Sequence, residues 1–373
     1  MENPIIINPK EKNLEKIKKE YSPDHIIDTY ELQLEDLYQI RNPQSKFMKD
    51  FSNELKKFIE EHSQGDSLED CGRWVYFPWN KTLVHYLEDE THQEIRTARN
   101  KNIITKEEQD KFYNFSIGVA GLSVGGHSAL TTTLMGGAGE IRLADPDVIS
   151  PTNLNRIRFD FSHVGRNKAD LVAEYVYQLN PYNKVHVFDE GITEENIGDF
   201  LDGLDLLVEE LDDIVMKVRL REEAKKRGIP VIMATDNGDN VILDVERYDL
   251  NPDYPIFHGN LDGFDLKELK DSPQKMFEAM GRIIDITLVP IRVQHSIHEV
   301  GKTIYSWPQL ASAATLSGVV IAYTARRIAL GQKVKEGKLE INIESAIDPD
   351  YPQVREVQLK EAQKFLKMLG IKQ

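Results

Sequence analysis

Residues 118–130 read GVAGLSVGGHSAL. A short apolar run enters a glycine cluster, and a helix-forming segment follows, which is the outline of a phosphate-binding turn. Gly121 and Gly126 occupy the first and third glycine positions of G-x-G-x-x-G, with Gly125 beside the third, while Ser123 stands in the middle glycine's place. In a strand–turn–helix of this kind the first helical N–H groups are unpaired and the positive end of the helix dipole faces the ligand. Glycine lets the backbone approach a phosphate with no side chain between them. Ser123 either adds a hydroxyl donor there or pushes the ligand outward. His127, one turn into the helix, is a packed or solvated imidazole or a phosphate contact.

Working outward, strand and helix alternate. A second strand ends at Asp145, about where such folds place an acid on ribose hydroxyls. After a loop over 146–164, GRNKADLVAEYVYQLNP reads as a helix, KVHVFDE as a strand and TEENIGDFL as a short helix. LDLLVEE then reads as a strand, DIVMKVRLREEAKKRG as a helix and IPVIMAT as a strand. The pattern predicts an α/β fold, a doubly wound Rossmann-like, mostly parallel sheet. Farther on, VILDVERYD and IDITLVPIR are strand candidates, and LASAATLSGVVIAYTARRIALG is a core helix whose small residues permit close approach. Residues 1–100 read as a mainly helical N-terminal extension, with 101–332 as the nucleotide-binding domain and 333–373 as a strand–helix tail. Within the extension, Phe47, Phe51, Leu55, Phe58 and Ile59 fall at helical spacing with Ser45 as the expected N-cap, and Thr105 with Glu108 has capping-box spacing. The aromatic stretch from Cys71 to Leu87 reads as a short strand or loop broken at Pro78.

The chain of 373 residues is 40% hydrophobic and 29% charged, enough for a sizeable core. No apolar run reaches the roughly 18 residues of a membrane span, and the lysine-rich start lacks a signal-peptide core, so a cytoplasmic protein with no membrane partner is expected. A formal net charge of −16 argues against a nucleic-acid partner. The one cysteine, Cys71, excludes an internal disulfide and paired C-x-x-C zinc sites, and a buried structural thiol is its expected state.

The glycine turn serves ATP and NAD alike; ADPDVISPTNLNRIRF, residues 144–159, separates them. Asn153 and Arg156 follow the acidic strand end on one loop, and Lys168 opens the next helix. Such donors suit a polyphosphate, which a guanidinium grips with a fork of N–H groups. Asp212 and Asp213 follow LDLLVEEL at the carboxyl edge of the sheet, where doubly wound folds bind ligands. Asp212 suits Mg²⁺ on a triphosphate, and Asp213 suits a helix N-cap.

Asp145-Pro-Asp147-Val-Ile-Ser-Pro-Thr-Asn153-Leu-Asn-Arg156, followed by Lys168 and then Asp212, resembles the ubiquitin-activating-type adenylyltransferases, the family of the bacterial ThiF and MoeB proteins. RTARNKNII is similar to that family's R-x-x-R-Q element, and SWPQLASAATLSGVVIAYTARRIALG to its late core helix; the likeness covers about residues 95–332. It implies a Mg²⁺-ATP-dependent enzyme in which a carboxylate, usually the C-terminus of a small carrier protein or peptide, attacks the α-phosphate and forms an acyl-adenylate. By the same resemblance Asp145 holds the ribose and Asn153 orients the α-phosphate or substrate. Arg99 enters the ATP site of a partner subunit, which implies a homodimer. The sequence departs from the family in lacking the cysteine after the strand-end aspartate, so a thioester relay is not expected.

Competing readings are an NAD-dependent oxidoreductase, a non-catalytic ATP-binding relative, and a dehydratase acting on a modified tRNA base. Two smaller groups stay open. QHSIHE offers His295, His298 and Glu299 as a metal cluster or as packed histidines. ATDNGD places Asp236 and Asp239 at a ligand-binding strand end or in a simple Asn-Gly turn.

Overall fold

The computed structural model describes residues 1–265, 272–297 and 299–368. Its backbone divides into two compact units, Met1–Asp110 with Val176–Asn183, and Lys111–Tyr175 with Lys184–Gln373.

The first unit is built on a sheet as well as on helices. Its strands are β1 (Ile5–Ile7), β2 (His25–Ile27), β3 (Arg73–Phe77) and β4 (Thr82–Tyr86), in the order β1-β3-β4-β2. Helix α1 (Leu14–Tyr21) starts where the Asn13 side chain accepts the Lys16 N–H at 3.1 Å, and it seats Leu14 and Ile17 against Trp74, Tyr76 and Leu83. Helix α2 (Tyr30–Arg41) buries Tyr30, Leu34 and Leu37 with Leu87. The aromatic stretch after Cys71 is therefore a full antiparallel hairpin rather than a short strand or loop. Trp74, Val75, Tyr76 and Phe77 are all buried, so the strand carries no two-residue alternation for a sequence reading to detect. Ser45 is not an N-cap: it is buried inside a 3₁₀ turn, Pro43–Phe47. Helix α3 (Ser52–Ser63) starts later, where Asp50 Oδ1 accepts the Ser52 N–H at 2.9 Å, and Phe47 is left outside the stripe with 86% exposure. Helix α4 (Asp89–Thr97) is followed by α5 (Lys106–Tyr113), which opens with the expected box: Thr105 Oγ1 accepts the Glu108 N–H at 3.3 Å and Glu108 Oε2 accepts the Thr105 N–H at 2.9 Å.

The second unit holds a seven-stranded sheet with the strand order β11-β10-β9-β8-β5-β6-β7. Strands β5 (Ile117–Ala120), β6 (Glu140–Ala144), β7 (Lys184–Phe188), β8 (Leu206–Glu209) and β9 (Val231–Asn237) run parallel. β10 (Asn240–Glu246) and β11 (Gly337–Ile341) close one edge antiparallel. The connections are α6 (Gly125–Leu134), α7 (Lys168–Leu179), α8 (Ile197–Leu201) and α9 (Ile214–Lys226). The chain thus leaves β5 for β6 and β7 on one side and returns to β8 on the other, which makes the carboxyl end of β5 the point where strand order reverses. The late helix Ala311–Ala329 lies on α6 so closely that a Cβ at Gly318 would stand 2.7 Å from the Cβ of His127, as its small residues foretold.

IDITLVPIR is not a strand. The helix Pro273–Ile284 ends at Asp285, whose φ is 61° and whose Oδ1 accepts from the Thr287 N–H at 3.1 Å and its hydroxyl at 2.7 Å. A 3₁₀ turn, Ile286–Leu288, and a short helix, Ile291–Ile297, follow, separated by Pro290, which has no N–H for a ladder. Its branched residues suggested a strand, but Ile286 and Val289 are buried against Ala362 and Leu366 of the last helix, Tyr351–Met368.

Candidate functional site

At the carboxyl edge of this sheet lies a cavity of about 520 Å³. Gly121, Leu122, Ser123 and Val124 form one part of its wall, at the reversal point. Gly121 has φ +88°, and a Cβ there would lie 2.3 Å from the backbone oxygen of Glu210, so no other residue fits between β5 and β8. Gly125 serves packing instead: its Cβ would meet Val119 Cγ1 at 2.7 Å. Gly126 donates to the Leu122 carbonyl at 3.2 Å and His127 to Val124 at 2.9 Å. The N–H groups of Ser123, Val124 and Gly125 have no acceptor among the described residues, and they sit at the N-terminus of α6, where an anion is stabilised. His127 is packed, with Nε2 2.6 Å from the Arg156 carbonyl oxygen.

Asp145 shapes the turn. It is 4% exposed; its Oδ2 accepts the Leu122 N–H at 2.7 Å and its Oδ1 the Asp147 N–H at 2.9 Å. Burial pushes its carboxyl above the ordinary range, while Lys168 and the two N–H groups pull the other way. Lys168, also buried, bridges Asp145 at 3.7 Å and Asp147 at 2.8 Å, and all three line the cavity. Arg156 reaches the cavity as well. One of its terminal nitrogens donates to the Thr152 carbonyl at 3.1 Å and to Asn155 Oδ1 at 3.0 Å, and its buried Nε has no partner among the described residues. Burial lowers Arg156, with Asp236 and Asp212 opposing.

Much of the rest of the lining is acidic. Glu210, Asp212, Asp213 and Asp236 all line the cavity, with Lys217, Met233, Met280 and Ile283. Asp213 is the N-cap of α9, accepting the Met216 N–H at 2.8 Å. Asp212 is exposed and has no hydrogen-bond partner among the described residues. Glu210 accepts the Ala234 N–H at 2.7 Å, and burial pushes its carboxyl well above the usual range. Asp236 accepts from Ser317 Oγ at 3.1 Å and Gln309 Nε2 at 3.4 Å; burial pushes it up to about 6. The residues after it make a two-residue hairpin, with Gly238 at φ +70° and Asn237 paired to Asn240. ATDNGD is therefore both a turn and a cavity wall.

Behind that wall, Glu209 points to the opposite side of β8. It is fully buried, bridged to Arg221 and to Lys217, the latter at 3.1 Å, and Arg221 in turn bridges Glu246 at 2.6 Å and lies 3.9 Å over the Phe257 ring. Burial alone would raise Glu209, but Lys217 and Arg221 outweigh it and hold it below the usual range. The sequence reading missed Glu210 and this network. The signal was the adjacent pair Glu209-Glu210: two-residue periodicity sends neighbouring side chains to opposite faces, so one acid had to meet the core.

Of the residues expected from the sequence, Gly121, Ser123, Asp145, Asp147, Arg156, Lys168 and Asp212 come together on this cavity. Gly125 and Gly126 sit just behind it in α6. Asn153 does not line it: its Oδ1 accepts the Ser150 N–H at 3.0 Å and closes the 3₁₀ turn that carries Arg156. Arg99 belongs to the first unit, exposed in a 3₁₀ turn, Ala98–Asn100. Cys71, in the same unit, is half-buried rather than buried, and its thiol, raised by burial, lies 3.5 Å from the Ser67 carbonyl oxygen. Among the described residues there is no metal-ligand cluster; His298, part of the QHSIHE group, lies outside them. No described helix is long and apolar enough to cross a membrane.

Comparison with known proteins places this geometry. Residues 97–240 match the ThiF family. An uncharacterized protein of Mycobacterium tuberculosis is 36% identical over 314 residues, which are 82% of this chain and 43% of that protein. A tRNA threonylcarbamoyladenosine dehydratase of Bacillus subtilis is 32% identical over 163 residues, 42% of this chain and 64% of that enzyme. An adenylyltransferase and sulfurtransferase of Saccharomyces cerevisiae is 27% identical over 152 residues, 40% of this chain and 34% of that one. The chain thus spans less than two thirds of the length of each of these relatives.

Proposed function

From a chain that carries a ThiF-family domain over residues 97–240, we infer a Mg²⁺-ATP-dependent adenylyltransferase that activates a carboxylate as an acyl-adenylate. One observation carries the inference: the N–H groups of Ser123 and Val124 and the Asp212 carboxylate, all without a hydrogen-bond partner among the described residues, share one cavity at the strand-order reversal with Arg156 and Lys168. A hydride-transfer enzyme needs no such set of phosphate donors around one mononucleotide. The S. cerevisiae relative, named an adenylyltransferase, supports the same class of chemistry.

The residues divide the work. The N–H groups of Ser123, Val124 and Gly125, with Arg156 and Lys168, neutralise the phosphates, and Arg156 Nε offers a donor with no partner among the described residues. Asp145 receives the ribose hydroxyls on the lone pairs its backbone contacts leave open. Asp212 would hold Mg²⁺: a hard cation that arrives with its nucleotide asks for little more than one carboxylate from the protein, and Asp212, exposed on the cavity wall and without a hydrogen-bond partner among the described residues, fits that requirement. The ion, when bound, would screen the polyphosphate charge against an incoming carboxylate. That carboxylate attacks the α-phosphorus and pyrophosphate leaves. Asn153 acts indirectly, by fixing the turn that aims Arg156. Arg99 acts from a second copy of the chain in a homodimer.

A carrier-protein or peptide C-terminus is the substrate class we favour. The relative named a tRNA threonylcarbamoyladenosine dehydratase supports a second substrate class, a carboxylate on a modified tRNA base. The net charge of −16 weighs toward the peptide. The test is exchange of labelled pyrophosphate into ATP with Mg²⁺ and either a pool of random hexapeptides with free C-termini or total tRNA. Exchange with the peptides is expected. Exchange with tRNA alone moves the substrate to the second class, and no exchange with either overturns adenylation.

A further inference from the structure

The second unit contains no cysteine, since the chain's single one is Cys71 in the first. An acyl group activated in the cavity has no thiol of that unit to move to. One acid on the same cavity as Lys168 and Arg156 is suited to one class of acceptor. Asp236 sits at the carboxyl end of β9, on the cavity surface. Two neutral donors from a different part of the chain hold it: Gln309, just before the helix Ala311–Ala329, and Ser317 within that helix. They fix the carboxyl plane and leave a lone pair open on each oxygen.

Asp145 and Asp147 have Lys168, and Glu209 has Lys217 and Arg221, whereas Glu210, Asp212, Asp213 and Asp236 on the cavity have no ion-pair partner within 4 Å among the described residues. Of these four, Asp236 is the one held by two side-chain donors. It is oriented but not neutralised. Its Coulombic attraction to Arg156 is weaker than the burial that acts on it. A carboxylate so placed beside the anionic ATP end attracts a cation, and a protonated amine is a cation that is also a latent nucleophile. A thiol ionises with little help, and an alcohol offers no charge for the acid to recruit.

We propose that Asp236 binds an amine acceptor and accepts its proton, so that the product is an amide. In the step, Asp236 takes one ammonium proton as the nitrogen lone pair attacks the acyl carbon. The C–N bond forms, the C–O bond to the phosphate breaks, and its electron pair leaves with AMP. The second surplus N–H proton passes to water. The raised proton affinity of Asp236 suits it to receive and release a proton near neutral pH. This role rests on the adenylation inferred above, and the two are separable.

The experiment gives wild type and Asp236→Asn the same ATP, Mg²⁺ and random hexapeptide pool, with ethylamine, ethanol or dithiothreitol as acceptor. Pyrophosphate exchange reports the first half-reaction, and mass spectrometry of the peptides reports the second. Wild type is expected to form ethylamides, and the ratio of amide formation to exchange is expected to fall at least 100-fold in Asp236→Asn. Asp236→Glu is expected to restore part of it. Should Asp236→Asn not fold, Ser317→Ala, which removes one orienting donor, is expected to lower the same ratio about tenfold. An unchanged ratio in the folded variants, or wild type acylating ethanol or the thiol in preference to the amine, overturns the proposal while leaving adenylation standing. Absence of exchange in wild type overturns both.

Discussion

Two neighbouring acids at the carboxyl end of β8 end up in opposite worlds: Glu209, its last residue, and Glu210, the residue after it. Glu209 enters a buried set of charges in which every member is paired: Lys217 and Arg221 against Glu209, and Arg221 against Glu246. Glu210 enters the cavity, where Asp145, Asp147, Asp212 and Asp236 share the walls with Lys168 and Arg156, and where Asp212 and Arg156 Nε have no partner among the described residues. Both regions concentrate charge, which is costly unless the charges are matched or reach water. The first is matched from within the chain and positions the sheet. The second is completed only by something from outside. Pairing, not charge density, separates structure from function here.

The largest effect should come from breaking the closed set. Arg221→Met leaves Glu209 and Glu246 buried without their shared cation, and we expect a loss of about 3–5 kcal/mol in urea unfolding. Exchange activity per folded molecule should hold. If stability is unaffected, the two regions are not distinguished by pairing. Next is Arg156→Ala, which should leave the unfolding midpoint nearly unmoved and lower pyrophosphate exchange by about 10²–10³. A variant with full exchange and reduced stability would reverse its assignment to the open region.

Asp236 sharpens the contrast through pH. Its folded pKa is raised from 3.8 to about 6. The stability it confers is therefore fully present below the unfolded value and is lost as pH rises through about 6. Asparagine carries no such loss. Asp236→Asn should match wild type near pH 4 and exceed it at pH 8 by on the order of 2 kcal/mol. A constant difference across that range in paired thermal melts would show that the acid is matched after all. The smallest effect is expected at Ser123. Ser123→Gly restores the usual middle glycine and should tighten ATP binding by about threefold, measured by calorimetry, through closer backbone approach. Weaker binding would instead make the hydroxyl a phosphate donor.

Much of this was legible in the sequence. Strand–helix alternation from Ile117 onward gave the parallel sheet, and the order of Asp145, Arg156, Lys168 and Asp212 gave the cavity, because Asp145 and Asp212 lie just after the ends of β6 and β8 and Arg156 and Lys168 lie on the loop and first helical turn that follow β6, and topology gathers strand ends. Less was legible where burial hides periodicity. β3 is buried on both faces, so its residues look like any apolar run. IDITLVPIR has strand composition, but Asp285 and Pro290 override it. Asn153 was assigned to the ligand on its place in a motif, while its side chain closes the local turn. Glu210 escaped notice because the partner that distinguishes it from Glu209 is 12 residues downstream of the latter, on the far side of the sheet.

The most direct measurement follows oxygen. The random hexapeptides would be labelled with ¹⁸O in their terminal carboxylates and incubated with the protein, ATP, Mg²⁺ and ethylamine, and the nucleotide product weighed by mass spectrometry. Adenylation predicts AMP carrying one ¹⁸O, because the carboxylate oxygen that attacks the α-phosphorus stays with the phosphate when the acyl group departs. AMP without label, or ADP and phosphate in its place, would contradict it.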